Sequence, residues 1–199
     1  KTNGVSHYIR ISSSNVYAGN KNENSEKIIP NPQTLYAKIN LELDNYAVSL
    51  NSKKFTVTVL RLASIFGDSL RMRWDQSINN MVKELCNNGK IQVKSKNSQR
   101  PFLHIDDVIR AIILVIKSKE NASGEIFNVG SNDLNYSIGE IAKEITNIAK
   151  KENSLIVSDE KDKNSFIMNC DKINKKLGFK KNNDLKFGIK ELLRKLDYK

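Results

Sequence analysis

The sequence predicts an α/β fold with a parallel sheet. Runs of apolar and β-branched residues alternate along the chain with segments of helical periodicity. The run 55–62 is β-branched or apolar almost throughout, as a strand buried on both faces requires. Helix-start residues stand at the head of several of the periodic segments.

The elements follow in order. Residues 8–11 read as a short strand that ends in Ser12, Ser13 and Ser14. Residues 19–32 are polar and read as a surface excursion. A helix is predicted over 34–50, with Ile39, Leu43, Tyr46, Ala47 and Leu50 on its buried face. The strand 55–62 follows, then a helix over 76–86 and a short strand at 91–93. Asp106 or Asp107 is expected to cap a helix carrying Val108, Ala111, Ile112 and Val115. Residues 126–129 form another strand, and Ser137 with Glu140 reads as a capping box opening the next helix. Asp184 caps a last helix carrying Ile189, Leu192, Leu193 and Leu196.

Composition narrows the function. At 39% hydrophobic and 28% charged residues the chain is globular rather than disordered. Its longest apolar run, 111–116, is far short of the ~20 residues a membrane helix needs. Cys86 and Cys170 have neither metal-ligand spacing nor a disulfide pattern, which favours a reducing, cytoplasmic setting without a metal. The net charge of +11 would suit a nucleic-acid binder, but lysines are scattered and interleaved with acids. No basic run alternates with aromatics, so nucleic acid is not expected as a partner. His104 reads as a packed strand-end histidine. No Gly-x-Gly-x-x-Gly loop occurs anywhere.

The chemistry-bearing motifs come in a fixed order. Ser12-Ser13-Ser14-Asn15-Val16-Tyr17 stands where a strand ends, the edge at which open α/β sheets form their sites. Pro32-Gln33-Thr34-Leu35-Tyr36-Ala37 opens a helix, and Leu60-Arg61-Leu62-Ala63-Ser64-Ile65-Phe66-Gly67 follows. Then come Ser69-Leu70-Arg71-Met72-Arg73-Trp74-Asp75, Arg100-Pro101-Phe102-Leu103-His104-Ile105-Asp106-Asp107-Val108, Phe127-Asn128-Val129-Gly130-Ser131 and Leu177-Gly178-Phe179. In this order and spacing the chain resembles the extended short-chain dehydrogenase/reductase family, the NAD-dependent nucleotide-sugar epimerases and dehydratases.

The resemblance implies the C-terminal portion of a Rossmann-type doubly wound parallel sheet plus a small mixed α/β substrate-binding lobe. Residues 1–66 would be the later part of the NAD-binding domain, with its glycine-loop half expected upstream of Lys1. Residues 67–199 would be mainly the nucleotide-sugar lobe, with 100–130 partly returning to the Rossmann core. It implies NAD or NADP as cofactor, a nucleotide-diphosphate sugar as substrate, transient hydride transfer, a homodimer, and a role in surface-polysaccharide synthesis. Ser13 would orient the sugar oxygen and Tyr36 carry the proton. Ser12, Tyr36 and Asn40 would face the cofactor. Ser64, Asn79, Asn80, Arg100 and Asn164 would face the substrate, a guanidinium at Arg100 suiting its diphosphate. Arg71 and Arg73 are further anion-binding candidates.

Two departures stand out. The residue four after Tyr36 is Asn40, where the family carries lysine. A register placing Thr34 and Lys38 in the two slots loses the phenol, so Tyr36 with Asn40 is preferred. An ordinary phenol, ionising near ~10, is a poor base at neutral pH without a nearby cation. A lysine introduced at position 40 is therefore expected to help catalysis, and a non-catalytic nucleotide-sugar-binding relative is the alternative reading. The second departure is Asn164, where relatives often carry arginine; Lys161 or Lys163 would substitute.

Overall fold

The computed structural model describes residues 3–151, 154–158 and 164–198. The strands are β1 (His7–Ser13), β2 (Glu23–Asn24), β3 (Thr56–Leu62), β4 (Ser64–Phe66), β5 (Ile91–Val93), β6 (Gln99–His104), β7 (Glu125–Val129), β8 (Asn135–Ser137), β9 (Leu155–Val157) and β10 (Ile167–Met168). The helices are α1 (Leu35–Ser49), α2 (Ser77–Asn88), α3 (Ile105–Lys117), α4 (Ile138–Ile148), α5 (Asp171–Leu177) and α6 (Leu185–Lys195).

A parallel sheet in the order β1-β3-β7 forms the centre. Its register sets Ser13 opposite Leu62 and Leu62 opposite Val129, so the three carboxyl ends finish together. All seven residues of β3 are buried, as its apolar run predicts. A second sheet, β4-β6-β8, pairs β4 with β6 in parallel and β6 with β8 antiparallel. The pairs β2–β10 and β5–β9 are short and parallel. Leu60, Leu62, Phe127 and Val129 pack with Val108, Ala111 and Val115 of α3 in one core. Phe66 and Phe102 join α2, α4 and α6 in another.

Local chemistry fixes the helix starts. Thr34 accepts from the Ala37 amide at 3.2 Å and opens α1. Both bonds of the Ser137–Glu140 capping box are present, at 3.1 and 2.7 Å. Asp184 accepts from the Phe187 amide at 2.7 Å and opens α6.

Three expectations are corrected. The cap of α3 is His104, whose Nδ1 accepts from the Asp106 amide; Asp106 and Asp107 lie in the first turn. The buried Asp107 carboxylate instead accepts from the backbone amides of Asn182 and Asn183, both at 2.9 Å. The face of α1 turned to the sheet carries Ala37, Asn40, Asp44 and Ala47, while Ile39, Leu43 and Tyr46 are exposed. Polar residues win that face because β1 and β3 present arginines to it. The 19–32 excursion contains β2, and Asn24 is fully buried because its amide is satisfied by Asn20, the Asn22 carbonyl and the Ile167 carbonyl.

Candidate active site

A cleft of about 580 Å³ opens at the carboxyl ends of β1 and β3. Ser12, Ser13, Ser14 and Asn15 line one side, Tyr36 stands at the head of α1, and residues 62–67 cross the floor. Ser69, Arg71, Arg73, Gln76 and Asn79 close the far wall. Strand alternation explains the two serines. Ser12 turns toward α1, where its hydroxyl donates to Asp44 Oδ2 at 2.9 Å. Ser13 ends the strand, and its hydroxyl accepts from the Asn15 amide at 3.2 Å. Tyr36 is 59% exposed, leaving the ring accessible to a ligand.

On the far wall, Asn79 is buried and bridges the backbone: Oδ1 accepts from the Gly67 amide at 3.3 Å and Nδ2 donates to the Arg73 carbonyl at 3.2 Å. Gly67 sits at φ +108°, and a Cβ there would lie 2.3 Å from His104 Nε2, so only glycine fits this turn. Arg73 grips Asp75 through both carboxylate oxygens, at 2.8 and 2.7 Å. That fork holds the Asp75 carboxyl down at about 2 and raises Arg73, to which a Tyr36 phenolate would add attraction. Hydroxyls and guanidinium groups lining one cleft suit a sugar joined to an anion.

Beneath the cleft lies a charged layer. Fully buried Asp44 receives Arg10 Nε and Arg61 Nε, each at 3.0 Å. Arg10 Nη2 donates to Asn40 Oδ1 at 2.9 Å, and Asn40 Nδ2 donates to the Tyr36 carbonyl at 2.9 Å. Arg61 Nη1 donates to the Tyr17 hydroxyl at 2.7 Å, which donates to Asn128 Oδ1 at 3.0 Å. Burial raises the Tyr17 pKa despite Arg61, and burial likewise raises that of Glu26, which accepts from the Asn128 amide. Sequence reasoning missed Arg10, Asp44 and Arg61. The available signals were the spacing of Asp44, two turns after Tyr36, and the alternation that puts Arg10 on the face of Ser12.

The cleft thus brings together Ser12, Ser13, Tyr36, Ser64 and Asn79, with Arg71 and Arg73. Asn40 lies under it, held by Arg10. Asn80 turns away to Glu84 at 2.8 Å. Arg100 does not line the cleft; its guanidinium folds back to the Gln99 carbonyl at 2.8 Å and lies over the Phe166 ring. Asn164, half-buried before β10, is also outside the lining. Lys161 and Lys163 lie outside the described residues. His104 packs at the end of β6, fully buried, 3.0 Å from Glu191. Among the described residues no group of three His, Cys, Asp or Glu side chains is placed to hold a metal, and no helix is long and apolar enough to cross a membrane.

A parallel sheet with α1 packed on one face and α3 on the other places the protein in the doubly wound α/β class. The sequence model of the NAD dependent epimerase/dehydratase family matches residues 1–130, and the chain belongs to that family. A stretch of 59 residues, 30% of this chain and 15% of the relative, is 37% identical to UDP-D-apiose/UDP-D-xylose synthase 1 of Arabidopsis thaliana. Among solved structures, MoeE5 in complex with UDP-glucuronic acid and NAD is similar at a TM-score of 0.85 and 21% identity, over 98% of this chain and 67% of that one. UDP-glucuronic acid 4-epimerase from Bacillus cereus is similar at a TM-score of 0.83 and 21% identity, over 96% of this chain and 61% of that one. These likenesses bear out the α/β fold read from the sequence.

Proposed function

We propose that this chain carries the catalytic edge and substrate cleft of a nucleotide-sugar epimerase, dehydratase or reductase. The observation that carries this reading is the shared cleft, which is lined by Ser13 and Tyr36 together with Arg71 and Arg73. In it, the Ser13 hydroxyl orients a sugar oxygen. Tyr36, as the phenolate, takes the proton of the sugar hydroxyl and returns it at the end of the cycle. The guanidinium groups hold the diphosphate, with Asn79 bracing the turn between them and the floor.

The exposed phenol of Tyr36 and the hydroxyl of Ser13 also fit the nicotinamide end of NAD or NADP. When bound, that cofactor supplies the hydride acceptor and donor. Residues 1–66 with part of 100–130 would form the cofactor side, and the rest mainly the sugar side. The exposed row Ile39, Leu43 and Tyr46 on α1 supports a homodimer. A cytoplasmic place in surface-polysaccharide synthesis follows from the same reading.

Asn40 favours a second reading, a relative that binds nucleotide sugars without converting them. Calorimetric titration with UDP-glucuronic acid and UDP-glucose tests the part common to both. Binding weakened by Arg73→Ala supports the cleft as the site, and absence of binding by the intact protein to any nucleoside-diphosphate sugar overturns both readings.

A further inference from the structure

The neutral side chain at position 40 has a cation set against it from the neighbouring strand. Arg10 is only 13% exposed at its side chain, and it spans from β1 to two successive turns of α1. It donates to Asn40 Oδ1 at 2.9 Å and to Asp44 Oδ1 at 3.0 Å. Asp44 also takes Arg61 from β3 and the hydroxyl of Ser12. Arg10 and Arg61 thus share the one Asp44 carboxylate, and the layer's other acid, Glu26, lies on the Arg61 side with Tyr17 and Asn128, so the charged group against Asn40 is Arg10. Asn40 passes the contact on, since its amide donates to the Tyr36 carbonyl.

A lysine side chain exceeds an asparagine by about the length of one hydrogen bond. At position 40 its ammonium would therefore arrive where the Arg10 guanidinium already lies. It would also bring a third cation to a single carboxylate in a place with little water to screen it. From this juxtaposition we propose that Arg10 supplies the positive charge of the Ser13–Tyr36 site, as a positioning residue acting through Asn40, and that positions 10 and 40 form a reciprocal pair in which one residue is cationic. The proposal sets a different outcome against the expectation that a lysine at position 40 alone helps the site. The catalytic half of the proposal rests on the reading of Tyr36 as the proton carrier; the reciprocity does not.

A charge-swap cycle tests it with two readouts. In thermal unfolding, Arg10→Met and Asn40→Lys should each lower the melting temperature by about 5 °C or more, the scale of a disturbed buried ion pair. The double variant Arg10→Met/Asn40→Lys should recover to within about 3 °C of the parent. Should Arg10→Met fail to fold, the double variant must still melt above Asn40→Lys. Additive losses in the double variant, or an Asn40→Lys protein as stable as the parent, overturn the proposal. In the NAD-loaded protein, Arg10→Met should lower kcat for a nucleotide sugar at least about tenfold with little change in KM, and the double variant should restore it. An unchanged kcat in folded Arg10→Met overturns the proposal while leaving the enzyme reading intact. A parent protein that converts no nucleotide sugar overturns the enzyme reading, and the melting cycle still decides the pair.

Discussion

Asp44 Oδ2 accepts from Arg61 Nε at 3.0 Å, and both side chains are almost wholly buried. This pair ties the middle of α1 to the central strand of the parallel sheet. Because Tyr36 lies two turns before Asp44, the pair also sets the rotation of the helix that presents the phenol to the cleft. Asp44→Ala leaves Arg10 and Arg61 without their carboxylate. It should destabilise the fold by about 3–5 kcal/mol, the cost of an uncompensated buried charge. Denaturant unfolding checks the value.

The two arginine candidates for the substrate anion should separate. Arg73 lines the cleft, whereas Arg100 is folded back on its own strand. Arg73→Ala should weaken nucleotide-sugar binding by about 1.5–3 kcal/mol, the range for a hydrogen bond to a charged group. Arg100→Ala should change binding by less than about 0.5 kcal/mol, within the range of substitutions away from a site. Calorimetry on both variants reads the difference.

Glu26 gives a pH dependence of defined sign. Burial raises its folded pKa above the ordinary 4.5, so the folded state favours the neutral carboxyl. The stability it contributes is complete below that ordinary value and is lost as the pH rises through the folded one. Glu26→Gln removes this loss while keeping an oxygen to accept from the Asn128 amide. Its melting temperature should exceed the parent's by about 2 °C at neutral pH and match it below pH 4.5.

The turn at Gly67 tests the far wall. At φ +108° with His104 pressed against it, the position has no room for a methyl group. Gly67→Ala should cost about 2 kcal/mol or more through backbone strain and displacement of His104. It should also weaken nucleotide-sugar binding, since the Gly67 amide anchors Asn79.

The elements legible in the sequence are those fixed by local chemistry. The β-branched run of β3, the Ser137–Glu140 box and the Asp184 cap each depend on residues within a few positions. The buried face of α1 was not legible in this way. Ile39, Leu43 and Tyr46 have the spacing of a core stripe, yet the sheet takes Asn40 and Asp44 because Arg10 and Arg61 await them, thirty and seventeen residues away. The serine and tyrosine lining the cleft were singled out by their place in the motif order, since alone they read as a strand end and a half-buried aromatic. Arg100 and Asn164 were placed by motif position alone, and motif position does not fix which way a side chain turns.

On the proposed function, Tyr36 moves a proton on a nucleotide sugar held in this cleft. Product analysis by NMR, after incubating the NAD-loaded protein with nucleoside-diphosphate sugars, tests it most directly when Tyr36→Phe is run beside the parent. The parent should convert at least one of them, and Tyr36→Phe should bind the same sugar with similar affinity while turnover falls by about 10²–10⁴, the span of a lost general acid–base group. Conversion at an undiminished rate by folded Tyr36→Phe would contradict it.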